Sequence, residues 1–227
     1  MKSTLFIIKN ITNLHAGDGD SSDGLIDKTV QRDPTTRIPV IHASSLKGSL
    51  REHFKNLSET ASIFGKEPKK EASVDANKGS HIFWDARLLA LPIQDDSHGY
   101  VLATTQDLID DFKEVIKLCA VASTDKLATL TNPVEKLTNK PLRVLSNTEF
   151  EEHCERLHVI ARNNLENGKS VNLWYEEVVP RQALFYAVIQ HPETESPLIS
   201  KIKETNLIQI GANATIGYGQ CQFTVVN

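Results

Sequence analysis

The stretch IPVIHASSLKGSLREHFKNL, residues 38–57, predicts a short extended segment followed by an amphipathic helix. Ser44 or Ser45 suits the N-cap position of that helix. Residues at helical spacing form one apolar face and a neighbouring basic stripe: Leu46, Leu50, Phe54 and Leu57, beside Lys47, Arg51 and Lys55. The helix therefore has one side for the core and one basic side. Its N-terminus is itself favourable for anions.

A long polar segment precedes this helix. Residues 4–12 alternate as a strand does, whereas residues 13–40 are rich in Gly, Asp, Ser, Thr and Pro. A loop of that length inside a compact domain is usually functional or disordered. Its candidate functional side chains are His15, Asp20, Asp23 and Asp27.

The rest of the chain alternates strands and helices. The polar residues 66–79 predict a loop. After them we expect a strand or strand pair at 81–92, helices at 106–121 and 148–157, a hairpin turning near Gly168, a strand at 183–190 and a helix at 197–205. Two closing strands, 207–210 and 221–225, flank a glycine-containing loop at 211–219. The pattern predicts an α+β fold of the RRM-like or ferredoxin-like kind.

Charge is distributed unevenly along the 227 residues, whose formal net charge is −4. An acidic balance argues against a generic nucleic-acid-binding protein. The cations nevertheless concentrate between residues 28 and 51: Lys28, Arg32, Arg37, Lys47 and Arg51, against Asp33 alone. Because phosphate affinity depends on local cations, such a surface can still bind a polyanion.

Cysteine usage and hydropathy bear on the compartment. The three cysteines lie far apart and form no CxxC motif, which disfavours a disulfide framework or a zinc site and fits a reducing cytoplasm. No window approaches the roughly 18–20 apolar residues of a membrane span, so we expect no membrane partner. The N-terminal residues predict a first strand rather than a signal peptide.

Taken alone, each candidate residue has an ordinary structural interpretation. Loop aspartates such as Asp27 mostly form turns, a lone histidine such as His15 is usually structural, and Lys47 and Arg51 would usually be a solvated helix face. The sequence has no clear cluster of acids for a two-metal site. Glycine loops alone would equally suit a stand-alone nucleotide-binding enzyme, which remains a weaker alternative.

Ordered motifs along nearly the whole chain narrow these alternatives. They are LHAG (14–17), GLID (24–27), QRD (31–33), IPVI (38–41), SSLKGSLR (44–51), DARLLALPI (85–93), LWYEE (173–177), VPRQALFY (179–186) and IQIGANATIGYG (208–219). Together they resemble the RAMP superfamily, the RNA-binding proteins of type III CRISPR effectors, and in particular its Cmr branch. Each motif is modestly specific, but their order and spacing together are highly specific.

The resemblance implies the backbone subunit of a type III-B (Cmr) complex, which binds crRNA and cleaves complementary target RNA at regular intervals. Its partners would be crRNA, target RNA, further copies of itself in a filament and other Cmr subunits. The resemblance also implies a single domain over residues 1–227, with a thumb-like insertion at about 157–180. The alternatives are the equivalent type III-A (Csm) subunit and a non-catalytic crRNA-binding scaffold.

The resemblance also implies roles for particular residues. Asp27 would be catalytic and would hold a divalent ion, Mg²⁺ being expected, while His15 would be a second catalytic residue and Glu176 or Glu177 weaker assistants. RNA-binding residues would be Ser44, Ser45, Lys47, Gly48, Arg51, Gly211, Gly217, Tyr218 and Gly219. The chain departs from the family pattern in having Ala212 and Tyr218 where Gly and Arg are frequent.

Overall fold

Strands from the two ends of the chain pair at the centre of one mixed sheet. The computed structural model describes residues 1–19, 25–66, 78–119, 140–192 and 196–226. The candidate residues Asp20 and Asp23, and most of the predicted 66–79 loop, lie outside the described residues.

The described strands are β1 (Lys2–Asn10), β2 (Val40–Ile41), β3 (Ile82–Phe83), β4 (Ala86–Asp95), β5 (Gly99–Thr105), β6 (Leu142–Leu145), β7 (His158–Glu166), β8 (Lys169–Val178), β9 (Leu184–His191), β10 (Ile208–Gln209) and β11 (Gln220–Val225). The described helices are α1 (Ala43–His53), α2 (Thr60–Phe64), α3 (Gln106–Leu118), α4 (Asn147–Glu155) and α5 (Pro197–Glu204), with a 3-10 turn at Ala214–Ile216. The predicted helices and closing strands are confirmed within a few residues at their ends.

The strand order explains the fold class. The main sheet runs β10-β11-β1-β9-β4-β5-β6, with β2 paired to β4 and β3 paired to β9. Its centre, β11-β1-β9-β4, is antiparallel throughout. Because α1 lies between β1 and β4 along the chain, and α5 between β9 and β11, this is the order of a split β-α-β-β-α-β unit. The predicted α+β class is confirmed.

Two apolar layers cover the two faces of the sheet. On β1, Phe6 and Ile8 belong to the core that contains Leu46 and Leu50 of α1. Leu5 and Ile7 alternate with them and face a second core. The second core takes Ile109, Phe112, Val115 and Ile116 from α3. Thus α1 and α3 lie on opposite faces, and Ser44 and Gly48 on the outer side of α1 are exposed.

Strands β7 and β8 form a separate two-stranded hairpin. They are joined by Asn167 and Gly168, which both have positive φ, 49° and 77°. Positive φ at both central residues is the geometry of a type I′ turn, for which Asn-Gly is the preferred pair. The hairpin lies within the range predicted for the insertion and turns where Gly168 predicts it. Several of its apolar side chains are exposed: Leu165, Val171, Leu173 and Tyr175.

The start of α1 differs from the prediction. The helix begins at Ala43 after His42, so neither Ser44 nor Ser45 is its N-cap. The Ala43 N–H instead donates to Oδ1 of Asp85 at 2.6 Å. The N-cap prediction was wrong because a carboxylate from a distant part of the chain satisfies this helix terminus, which a local pattern does not reveal.

The three cysteines form no disulfide with one another. Cys119, Cys154 and Cys221 are free thiols. Burial raises the pKa of both Cys154 and Cys221 to about 12, so neither is a reactive thiolate. Among the described residues, no helix has the length and apolar character needed to cross a membrane.

Candidate nucleic-acid interface

Backbone bridges fix the segment around Asp27 to the rest of the molecule. Leu14 pairs with Val179, Gly17 pairs with Val30, and Lys28 forms a parallel bridge with Glu176 of β8. We call residues 174–178 of β8, with the facing residues 158–162 of β7, the hairpin root. The long polar segment therefore lies directly against the hairpin root.

Asp27 is exposed, and its carboxylate is nevertheless fixed in place. Its Oδ2 accepts a hydrogen bond from the backbone N–H of Tyr175 at 2.7 Å. The backbone N–H groups of Asp27 and Lys28 both donate to the carbonyl oxygen of Tyr175, each at 3.1 Å. One residue of the hairpin root thus holds both the backbone and the side chain of Asp27.

The Glu177 side chain also holds the segment around Asp27. Its Oε1 accepts a hydrogen bond from Arg32 at 2.6 Å, and its Oε2 accepts the backbone N–H of Val30 at 3.0 Å. Both charged side chains are nearly buried. Arg32 was expected among the cations of the basic surface, but its guanidinium is committed to this internal ion pair.

Glu176 is the centre of a second buried network. Its Oε1 accepts a hydrogen bond from the Asn213 side chain at 2.8 Å, and its Oε2 faces Arg162 of β7 at 3.3 Å. Nε2 of His15 lies 3.6 Å from Oε1 of Glu176, while Nδ1 of His15 bonds to the carbonyl oxygen of Glu177 at 2.7 Å. His15 is buried, so its contacts are those of a side chain that holds the loop on the hairpin root.

Residues 211–219, here called the glycine loop, pack tightly against the His15 segment. The Ala212 N–H donates to the His15 carbonyl at 2.9 Å, and the Gly219 N–H donates to Asn13 at 2.8 Å. Gly211 has φ +79°, and an added Cβ would lie 2.4 Å from the carbonyl oxygen of His15. Only a glycine fits so close an approach in this conformation. Gly217, by contrast, faces open space.

Helix α1 meets the glycine loop. The Gly211 N–H donates to the Ser49 hydroxyl at 3.3 Å, linking the two predicted RNA-binding elements. Ser44 and Gly48 are exposed, and a Cβ on Gly48 would touch nothing within 4 Å. These positions leave the backbone of the first helical turns accessible to a ligand.

The other predicted residues of α1 have protein contacts as well. The Ser45 hydroxyl accepts a hydrogen bond from the Gln31 side chain at 2.7 Å. The Lys47 ammonium lies 6.0 Å from the centre of the Phe83 ring. Arg51 is partly buried. The structure thus brings the predicted α1 and glycine-loop residues onto neighbouring elements.

Sequence reasoning missed a group of aromatic and basic side chains at the hairpin root. Arg162 lies 5.7 Å from the centre of the Trp174 ring and 6.0 Å from that of Tyr218, while Lys28 lies 5.3 Å from the Trp174 ring. The alternation within residues 173–177 could have indicated that Trp174 and Glu176 share a face of β8. Arg162 lies opposite Trp174 across the hairpin, whereas Lys28 and Tyr218 come from distant segments and could not be predicted.

The described residues include no group of three or more His, Cys, Asp or Glu side chains able to hold a metal ion. The described ranges therefore contain no cluster of the side chains that usually bind Zn²⁺. Mg²⁺ often binds through one or two carboxylates while water and substrate phosphate complete its coordination. The exposed Asp27 carboxylate is compatible with that second arrangement.

Comparisons with known proteins agree on one family. The chain is 26% identical over 287 aligned positions to the CRISPR system Cmr endoribonuclease Cmr4 of Pyrococcus furiosus, covering 99% of this chain and 96% of the relative. A 48-residue stretch, 21% of this chain, is 46% identical to the CRISPR system endoribonuclease Csm3 of Mycobacterium tuberculosis, covering 20% of that relative.

Solved structures share the fold. Oligomeric Cmr4 from Pyrococcus furiosus superposes with a TM-score of 0.72 at 21% identity, covering 100% of this chain and 98% of that one. A chain of the type III-B Cmr-beta complex bound to cognate target RNA gives 0.71 at 22% identity, covering 99% and 97%. Residues 7–222 match the profile of the RAMP superfamily. The chain belongs to the RAMP superfamily.

Proposed function

We propose that the chain is the backbone subunit of a type III-B CRISPR effector complex, which binds crRNA and cleaves the paired target RNA. The single observation that carries the proposal is the exposed Asp27 carboxylate, held by Tyr175 at the hairpin root. A fixed carboxylate beside a protruding hairpin and two glycine-containing backbone surfaces is suited to acting on a bound RNA strand.

The relatives support the assembly part of the proposal. The Pyrococcus furiosus relative is named a Cmr endoribonuclease, and one similar structure is an oligomer of it. Another similar structure belongs to a complex bound to target RNA. We infer crRNA, target RNA, further copies of the chain and other Cmr subunits as partners.

RNA binding is assigned to α1 and the glycine loop. The exposed Ser44 and Gly48 leave room for RNA beside the first turns of α1, and Lys47 adds a cation. Contacts through backbone N–H groups and cations address phosphates and sugars rather than bases. A subunit that holds many different guides must bind RNA in a way that does not depend on the base sequence.

The chemistry we propose is attack by a target ribose 2′-oxygen on the adjacent phosphorus. A bond from phosphorus to the 2′-oxygen forms, and the bond to the 5′-oxygen breaks, leaving a cyclic phosphate and a 5′-hydroxyl. Asp27 accepts the 2′-hydroxyl proton as general base, and water supplies the proton to the 5′-oxygen. The Tyr175 N–H fixes the orientation of the carboxylate before the substrate arrives.

The hairpin supplies the substrate geometry in this proposal. In-line attack requires the 2′-oxygen, phosphorus and 5′-oxygen to align, and a duplex does not present them so. We infer that the hairpin enters between guide and target and displaces a base pair beside Asp27. Its exposed apolar side chains, such as Leu173, are chemically suited to lying against an unstacked base.

Mg²⁺ is the cofactor we propose, and Asp27 would hold it through water, which leaves the carboxylate free to accept the proton. When bound it would offset negative charge on the phosphate. His15 is proposed as a positioning residue, since its buried ring contacts Glu176 and Glu177 at the hairpin root.

The decisive experiment is Asp27→Asn in the reconstituted complex. Asparagine retains an oxygen that can accept the Tyr175 N–H, so the loop keeps its place while the base is lost. We expect target cleavage to be abolished, with complex assembly and the dissociation constant for target RNA unchanged. Cleavage by this variant at every site would overturn the catalytic assignment and favour the alternative of a non-catalytic crRNA-binding scaffold.

The equivalent type III-A (Csm) subunit is the second candidate. The observation that favours it is the short stretch 46% identical to Csm3. Reconstitution discriminates the two: assembly with Cmr partner subunits supports type III-B, and assembly with Csm partner subunits alone supports type III-A.

A further inference from the structure

Lys28, the residue after Asp27, has its ammonium group over an aromatic ring at the hairpin root. Its Nζ lies 5.3 Å from the centre of the Trp174 indole. A cation within about 6 Å of an indole centre is attracted by the ring. The ring does not neutralise the cation, whose charge can still attract an anion. The Trp174 indole thus fixes the position of the Lys28 ammonium.

The backbone of Lys28 is fixed on both sides. Its N–H donates to the Tyr175 carbonyl at 3.1 Å, and its own carbonyl accepts the Glu177 N–H at 2.9 Å. Tyr175 also holds the Asp27 carboxylate. The Asp27 carboxylate and the Lys28 ammonium are therefore both held by residues of the same short part of β8.

Two arginines that contact the hairpin root, Arg32 and Arg162, are already compensated. Arg32 pairs with Glu177, and Arg162 pairs with Glu176 at 3.3 Å. Lys28 is exposed and has no carboxylate partner within the described ranges. Of these cations, Lys28 is the one whose charge is available to a bound anion.

We propose that Lys28 is a further catalytic residue, whose ammonium contacts a non-bridging oxygen of the scissile phosphate. This inference rests on the proposed function. As the 2′-oxygen bonds to phosphorus, negative charge grows on the non-bridging oxygens, and a fixed cation stabilises it. Asp27 takes the 2′-hydroxyl proton, and water protonates the leaving 5′-oxygen.

Trp174 is assigned as the positioning residue for this ammonium. Its ring centre lies 5.3 Å from the Lys28 ammonium, and this contact restricts the conformations of the flexible lysine side chain. A lysine held in one place loses less conformational freedom when it meets a phosphate than an unrestrained surface lysine does.

The test compares Lys28→Met with Lys203→Met in the assembled complex. Lys203 is an exposed lysine on α5 and controls for loss of one surface charge. Single-turnover cleavage is measured at saturating target RNA. We expect Lys28→Met to cut at the same positions about 10- to 100-fold more slowly, and Lys203→Met to cut at the wild-type rate.

Phosphorothioate substrates provide a second measurement. Sulfur at a non-bridging oxygen of the scissile phosphate should slow the wild type more than Lys28→Met, because the variant has already lost the contact. Trp174→Leu should reduce this sulfur effect partway, and Trp174→Phe, which keeps a ring, should retain it.

Three results settle the assignment. A wild-type rate for Lys28→Met while Asp27→Asn is inactive would overturn this inference and leave the proposed function standing. A higher dissociation constant for target RNA with an unchanged saturated rate would make Lys28 a binding residue and would also overturn it. Wild-type cleavage by Asp27→Asn would instead show that the proposed function itself has failed.

Discussion

Arg32 donates a hydrogen bond to Oε1 of Glu177 at 2.6 Å, joining residues 145 positions apart along the chain. The two side chains are only 10% and 4% exposed. Glu177 also accepts the Val30 N–H. This pair therefore connects the Asp27 segment to the hairpin root through a buried charge interaction, and removing one partner would leave the other uncompensated.

Arg32→Met is expected to lower the free energy of unfolding by about 3 kcal/mol, because the Glu177 carboxylate would stay buried without its cation. Urea denaturation of the isolated chain measures the change. Arg32→Met combined with Glu177→Gln removes the orphaned charge and should recover part of the loss. A loss below about 0.5 kcal/mol for the single variant would mean that the pair is solvated.

Gly219→Ala should be far more disruptive than Gly217→Ala. Both glycines have positive φ, +71° and +84°, but a Cβ on Gly219 would lie 1.9 Å from the Ile210 carbonyl oxygen, whereas one on Gly217 meets nothing within 4 Å. We expect about 1 kcal/mol of destabilisation at Gly217 from backbone strain alone and a larger loss at Gly219. Equal melting temperatures for the two variants would contradict the close approach.

Asp85→Ala should weaken the start of α1. Its carboxylate accepts the Ala43 N–H at 2.6 Å in place of a local cap. We expect about 1 kcal/mol lower stability by thermal or urea unfolding. Asp85→Asn keeps a side-chain oxygen as acceptor and should retain most of the stability; a loss as large as that of the alanine variant would mean that the cap is unimportant.

Lys47→Ala should weaken crRNA binding to a similar extent for guides of different sequence, because the proposed contact is to the RNA backbone. The slope of log affinity against log salt concentration should decrease in magnitude by about one, as expected for the loss of one phosphate contact. Filter binding or fluorescence anisotropy with several guides measures both effects. A loss confined to particular guide sequences would indicate base recognition instead.

Stability should fall in mild acid because of His81. Its ring is buried, with Nε2 2.7 Å from the Ser196 hydroxyl. Burial, together with the nearby His191, lowers the pKa of His81 from 6.5 to about 4. Between these values the unfolded chain binds a proton that the folded chain does not, so the free energy of unfolding decreases as pH falls from 6.5 toward 4.

The measurement for His81 is urea unfolding at pH 7 and pH 5, with His81→Gln as the control. The wild type should lose on the order of 1–2 kcal/mol more than the variant over this interval. Identical pH dependence of the two proteins would show that His81 is not the group responsible.

Two parts of the fold that local patterns encode were predicted correctly. The spacing of Leu46 and Leu50 predicts the buried face of α1, and Gly168 predicts the hairpin turn. The cap from Asp85 and the pairing of Arg32 were not predicted, because each depends on a partner brought near by tertiary folding. Whether Asp27 and His15 act in catalysis stays a prediction.

The Asp27 segment is anchored on both sides of residues 18–27. Gly17 pairs with Val30, and Lys28 pairs with Glu176, so the chain returns to a fixed register on β8. Relatives with more or fewer residues between these anchors could therefore keep the carboxylate in the same place. The two anchors thus set where the segment leaves and rejoins the body of the molecule, and with it the position of the Asp27 carboxylate.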